Sequence, residues 1–130
     1  MIKKNKKIAV VWDWNGTIVN DAWVFVEILN VLLKKNNLSP LSLKQYKSSF
    51  CFPIRSFYEK IGLYKNEPCF KEITNDFLLL YEEKMLKPSL VRGIYSLLLN
   101  LKTLGFELFV LSAQNQKTLR FLVNYYKLKN

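Results

Sequence analysis

Two polar residues of this 130-residue chain each stand directly behind an apolar run: Asp13 follows Ile8-Ala9-Val10-Val11-Trp12, and Ser112 follows Phe106-Glu107-Leu108-Phe109-Val110-Leu111. Both runs are short and rich in β-branched or aromatic residues, as strands are. The first, bounded by Lys7 and Asp13, reads as a strand buried on both faces within a parallel sheet. Ligands of such sheets bind beyond the carboxyl ends of the strands, so residues 99 apart in sequence are expected to face one site. A carboxylate in that place can attack phosphorus and divide one hard displacement into two easier steps. A hydroxyl at the entry to a helix lies where an anion is favoured.

The elements that must position these two groups can be read from periodicity. Asn15-Gly16 could form a hairpin turn, but from Asp21 to about Asn36 the apolar residues Ala22, Phe25, Ile28, Leu29, Leu32 and Leu33 recur at helical spacing. Strand, turn, helix is therefore expected. From Ser39 to Pro88 the pattern is several helices and no strand. Ser42-Leu43-Lys44-Gln45 has capping-box spacing, Pro53 can open a helix that Gly62 closes, and about Lys71 to Lys84 forms another. After Pro88 a helix with Ile94, Leu97, Leu98 and Leu101 on one face ends at Gly105, a residue suited to the left-handed conformation behind a helix. The second strand follows, then a last helix from about Asn115 to Tyr126. Two strands joined through helices imply a parallel pair with a right-handed crossover.

Composition narrows the class of protein. Half the residues are apolar, Pro and Gly number four each, and no linker, repeat or low-complexity tract appears, so one folded domain is expected. The formal charge of +10 raises nucleic acid or an anionic membrane as partners. Seventeen of the twenty basic residues are scattered Lys, and the one dense group is Lys3, Lys4, Lys6 and Lys7, which disfavours a nucleic-acid surface. The aromatics sit among aliphatics at helical spacing, as in a core. Cys51 and Cys69 are too few for a disulfide framework, and no His completes a mixed zinc site, which fits a reducing cytoplasm. The apolar run behind MIKKNKK is too short for a signal peptide or a membrane span, so a soluble cytoplasmic chain with no membrane partner is expected.

The stretch Val10-Val11-Trp12-Asp13-Trp14-Asn15-Gly16-Thr17-Ile18 resembles the first motif of the haloacid-dehalogenase-like superfamily, an apolar strand followed by Asp-x-Asp-Gly-Thr. Its Asp-Trp-Asn-Gly-Thr form is similar to phosphoglycolate-phosphatase-like members. Phe109-Val110-Leu111-Ser112-Ala113 resembles the second motif. The resemblance implies an α/β fold: a partial Rossmann-like core of parallel strands from residues 1–20 and 89–130, with an all-helical cap over 21–88. It further implies a phosphatase of small phosphorylated metabolites that uses Mg2+ and forms an aspartyl-phosphate on Asp13. Asp13, through its second oxygen, and Asn15, through its backbone carbonyl, would hold the metal. Thr17, the Ser112 hydroxyl and the Ala113 amide would bind the substrate phosphate, and Arg55, in the cap, could reach a substrate carboxylate through its planar fork. Read without Asp13, Ser112 would be a simple helix cap, and Arg55 reads equally as a solvated surface residue.

The sequence departs from the family in two ways. Asn15 stands where the family usually carries an Asp that protonates the leaving oxygen, and an amide cannot supply that proton. A leaving group that needs little protonation, such as an acyl phosphate, would suffer less. The family's third motif, a Lys or Arg, and its fourth, an acidic metal ligand, lie on later strands that this sequence does not contain. Lys117 is not assigned to either role. The chain is therefore expected to be a truncated product with impaired activity or half of a split protein. Losing those strands would uncover Ile8 to Trp12 as an apolar edge, open to self-association or to a complementary chain. The rival to an enzyme is then a binding or assembly module that takes a phosphate-bearing ligand without turning it over.

Overall fold

The computed structural model describes residues 7–129. Lys3, Lys4 and Lys6 of the basic group lie outside them. In chain order the elements are β1 (Ala9–Trp12), α1 (Ala22–Lys35), α2 (Leu43–Ser49), α3 (Ile54–Lys60), α4 (Glu67–Lys84), α5 (Ile94–Thr103), β2 (Glu107–Val110) and α6 (Gln116–Tyr125). They form two compact units, residues 1–20 with 89–130 and residues 21–88.

The first unit is built on a parallel pair. β1 lies beside β2 in the register Ala9↔Glu107, Val10↔Leu108, Val11↔Phe109 and Trp12↔Val110. Leu111 N–H donates to the Trp12 carbonyl at 2.8 Å, extending the ladder one step. α5 leads into β2 through Gly105, whose φ of +85° is the left-handed conformation that ends the helix. Trp14, Ile18, Val19, Ile94 and Leu122 are its buried apolar residues. Trp14 meets Tyr126 with ring centroids 6.1 Å apart. A partly open pocket of about 140 Å³, lined in part by Trp12, Trp14, Leu98, Leu108 and Val123, lies in this unit.

One expectation needs correction here. β1 is not buried on both faces: Ile8 and Val11 keep 59% and 60% of their surface exposed, and burial alternates along the strand. The alternation means that the face carrying Val10 and Trp12 is covered and the face carrying Ala9 and Val11 is open. A continuous apolar run records an environment on two faces, and only half of that environment is present.

The second unit is helical throughout. α1 buries Val24, Ile28, Leu29, Leu32 and Leu33, the i, i+4 stripe that its sequence prescribes, and packs on α4 and α2. Phe57, Tyr58, Leu63, Ile73 and Tyr81 complete the same core. Phe25 stacks on Phe77 and Tyr81 with centroids 5.8 and 5.6 Å apart. Ser42 and Gln45 form the capping box that opens α2. α4 begins at Glu67, four residues before its expected start, because the Asn66 side chain accepts from Cys69 N–H at 2.9 Å and Pro68 sits in the first turn. Asn30 clasps the Leu41 backbone in both directions, at 2.7 and 3.0 Å, and so fixes the chain after α1.

Candidate active site

Asp13 is the residue directly behind β1, and its carboxylate is held unevenly. Oδ1 accepts from Trp14 N–H at 2.8 Å, whereas Oδ2 meets the Thr17 hydroxyl at 3.5 Å. The firm bond fixes the carboxylate, and the longer one leaves its second oxygen weakly engaged. Asp13 is exposed while Trp14, beside it, is wholly buried and serves as an anchor.

The turn that carries these groups is closed by its own backbone. Ile18 N–H and Val19 N–H both donate to the Trp14 carbonyl, at 3.0 and 3.2 Å, and Gly16 N–H donates to the Val19 carbonyl at 2.9 Å. Gly16 has φ +73° with open space around it, so glycine is needed here for its backbone angle and not for close packing. Val19 bridges to Leu90, and Val91 N–H donates to the Ile18 carbonyl at 2.9 Å, which ties the turn to the segment before α5. Asp13, Asn15 and Thr17 are thereby gathered on one turn.

Ser112 lies two residues beyond β2. Since Trp12 pairs with Val110, Asp13 and Ser112 both stand past the carboxyl end of the sheet. The Ser112 hydroxyl oxygen accepts from Gln114 N–H at 3.1 Å, which leaves its own proton available to donate. Ala113 is exposed and three residues ahead of α6. The first N–H groups of α6 are taken by Asn115, whose side-chain oxygen accepts from Lys117 at 3.0 Å and Thr118 at 3.3 Å. The anion-favouring end of that helix is thus already capped by Asn115, a role for which Asn before Gln-Lys-Thr was the available signal.

Arg55 belongs to the other unit. Its guanidinium pairs with Glu67 and lies 5.5 Å from the ring centroids of both Tyr64 and Phe70, and Tyr64 OH donates to the same Glu67 at 3.0 Å. These partners tie α3 to the start of α4. Sequence reasoning also passed over Asp21, which is 2% exposed at the start of α1. Burial, and then the Asp21 charge, raise Tyr46 to a pKa of about 12.

Oxygen donors at Asp13 and Asn15 suit a hard cation in kind. Among the described residues, however, no three His, Cys, Asp or Glu side chains gather as a metal-holding group. The first unit has two acidic residues, and the second, Glu107, begins β2 at the opposite end of the sheet and pairs with Lys7 at 2.8 Å.

The family model of haloacid dehalogenase-like hydrolases matches residues 10–130. The chain belongs to that family. Solved structures of similar fold include a predicted phosphatase from Clostridium acetobutylicum, with 20% identity and a TM-score of 0.78 over 94% of this chain and 56% of that one. A haloacid dehalogenase-like hydrolase from Streptococcus pneumoniae gives 15% identity and a TM-score of 0.79 over 94% and 57%. A predicted phosphoglycolate phosphatase from Haemophilus somnus gives 19% and 0.76 over 95% and 59%. This haloacid dehalogenase-like chain therefore spans under three fifths of the length of each of these structures. No curated protein sequence matches it. The α/β class, with a partial Rossmann-like core and a helical cap, agrees with the fold expected from sequence. No helix among the described residues is long and apolar enough to cross a membrane.

Proposed function

We propose that this hydrolase-family chain carries the nucleophile half of a cytoplasmic, Mg2+-dependent phosphatase for small phosphorylated metabolites, of the phosphoglycolate-phosphatase kind. The observation that supports this best is the uneven hold on Asp13, with one oxygen fixed by the Trp14 amide and the other weakly engaged at the end of β1. Asp13 Oδ2 attacks phosphorus, the phosphorus–oxygen bond to the leaving group breaks, and an aspartyl-phosphate forms. Water then attacks that phosphorus, inorganic phosphate leaves, and the Asp13 carboxylate is restored. Thr17, the Ser112 hydroxyl and the Ala113 amide hold the phosphoryl oxygens. Asp13 and the Asn15 carbonyl would hold Mg2+, which supplies charge neutralisation when bound.

Asn15 shapes the substrate class. It cannot protonate a departing alkoxide, so leaving groups of low basicity, as in acyl phosphates, are the favoured substrates. Arg55 as a contact for a substrate carboxylate would first have to release Glu67. The two free cysteines accord with a reducing compartment.

A second function has its own support: the single carboxylate at the sheet end favours a module that binds a phosphate-bearing ligand, or a complementary chain, without turnover. Phosphate release with Mg2+ from acetyl phosphate and 2-phosphoglycolate, compared between the chain and Asp13→Asn, separates the two. For the enzyme, release falls by about a thousandfold or more in the variant. Release that survives in Asp13→Asn would remove Asp13 as nucleophile, and a folded chain that binds phosphate but releases none would establish the module.

A further inference from the structure

We infer that Asn15 is a site of self-modification: its side-chain amide deamidates through the Gly16 backbone nitrogen. The aspartate formed supplies the proton donor that the Asp13 turn lacks, a gain that rests on the phosphatase reading, whereas the modification itself does not. The chemistry needs an asparagine followed by a residue without bulk, and of the asparagines in the chain Asn15 alone precedes a glycine. The Gly16 nitrogen attacks Asn15 Cγ, the bond from Cγ to the amide nitrogen breaks, and the Gly16 proton leaves with that nitrogen as ammonia. A five-membered imide then joins the two residues, and water opens it. Cleavage between Cγ and the Gly16 nitrogen restores the ordinary backbone with aspartate at position 15. Cleavage on the other side of that nitrogen gives isoaspartate, with an extra methylene in the backbone.

The turn both permits and restrains ring closure. Gly16 is exposed and Asn15 half-buried. Among the described residues, nothing beyond the chain neighbours of Gly16 comes within 4 Å of the place a Cβ would take, so no bulk opposes the closing ring. Restraint comes from the Gly16 N–H, which donates to the Val19 carbonyl at 2.9 Å, and from the bridge of Asn15 to Val19. Both must open before the nitrogen can turn towards Cγ. They belong to a turn of a few residues, which opens locally without unfolding the core. Deamidation in the folded chain therefore runs slower than in the unfolded one, yet ahead of an asparagine such as Asn30, which lies in α1, precedes Val31 and is held at both ends of its carboxamide by Leu41.

The two products differ in consequence. An aspartate at position 15 can protonate a departing alkoxide where the amide cannot. The modification thus widens the substrate range from acyl phosphates, whose leaving groups need little protonation, to phosphomonoesters. Isoaspartate does not serve, because its extra backbone atom lengthens the turn that the Gly16 N–H and the Val19 carbonyl close.

The test ages the purified whole chain in warm neutral buffer and follows Asn15 by peptide mass mapping, with an enzymatic isoaspartate assay to separate the two products. Conversion at Asn15 is expected before conversion at any other asparagine, and faster still once urea unfolds the chain. Turnover of 2-phosphoglycolate with Mg2+ is expected to rise with the aspartate fraction. With Asn15→Asp about a hundredfold faster than the fresh chain, a sample about one-tenth converted is about tenfold faster. Asn15→Gln, which has to close a larger ring, shows no gain on ageing. Asn15 intact in the folded chain after the unfolded chain has converted overturns the inference, as does isoaspartate as the sole product. A gain in Asn15→Asp with none in the aged, aspartate-bearing chain overturns it too. Conversion to aspartate with no turnover from either sample establishes the modification and overturns its catalytic half together with the phosphatase reading.

Discussion

The helical unit and the sheet unit differ in how far each satisfies its own apolar surface. Ten buried apolar residues form one cluster in the unit of residues 21–88, against five buried among the described residues of 1–20 and 89–130. Exposed large apolar side chains run the other way, seven against eleven among the described residues. The buried indole N–H groups of Trp12 and Trp14 also find no hydrogen-bond partner among the described residues. A helix satisfies its backbone internally and needs only one apolar stripe covered, so α1 to α4 can close a core among themselves. A strand needs neighbours on two edges and two faces, and a two-stranded sheet provides few of them. The lesson is that the unit carrying the candidate chemistry is the less self-sufficient of the two.

The comparison can be broken or sharpened by substitution. The largest effect is expected from Phe57→Ala at the centre of the helical unit, where Phe57 is 1% exposed: about 3–5 kcal/mol of stability lost in urea unfolding. A loss below about 1 kcal/mol would mean that this core is looser than its burial implies. Asn15→Asp, which restores a proton donor at the sheet end, should raise phosphomonoester turnover by about a hundredfold while changing acetyl phosphate turnover much less. An equal rise for both substrates would argue against missing protonation as the limit. Ser42→Ala removes the acceptor for Gln45 N–H and should cost about 1 kcal/mol. Val11→Thr, on the open face of β1, should change stability by less than about 0.5 kcal/mol. A cost several times larger would show that this face is covered in solution.

Alkaline pH should also separate the units. Burial raises the Tyr58 hydroxyl to a pKa of about 12, with Tyr46 adding to it, and burial followed by the Asp21 charge does the same for Tyr46. Each folded pKa lies above the ordinary value near 10, so the folded state holds its proton more tightly. The associated stability is full below about pH 10 and is lost as pH rises towards about 12. Helical ellipticity of the 21–88 unit should therefore fall over that range together with the rise of phenolate absorbance. Phenolate formation by both tyrosines near pH 10 without loss of helix would contradict their burial.

Much of the candidate site is legible in the sequence. Asp13 and Ser112 were placed at strand ends by the runs before them, Gly105 by its place behind a helical pattern, and the α2 start by Ser42 and Gln45. These signals are local, resting on turn angles, caps and alternation within a few residues. The four-residue gain at the start of α4 was also written locally, in Asn66 and Pro68, and was passed over because the apolar periodicity begins later.

Sequence by itself thus determined the order of elements, the parallel pairing and the turn of Asp13, Asn15 and Thr17, since each follows from short-range sterics and hydrogen bonding. Tertiary structure alone decided that Ile8 and Val11 are exposed, that the two oxygens of Asp13 are held unequally, that Arg55 is tied to Glu67, and that Asp21 is buried. Burial and partnership depend on what distant segments bring alongside, and a run such as Ile8 to Trp12 has the same composition whether or not its second neighbour is present.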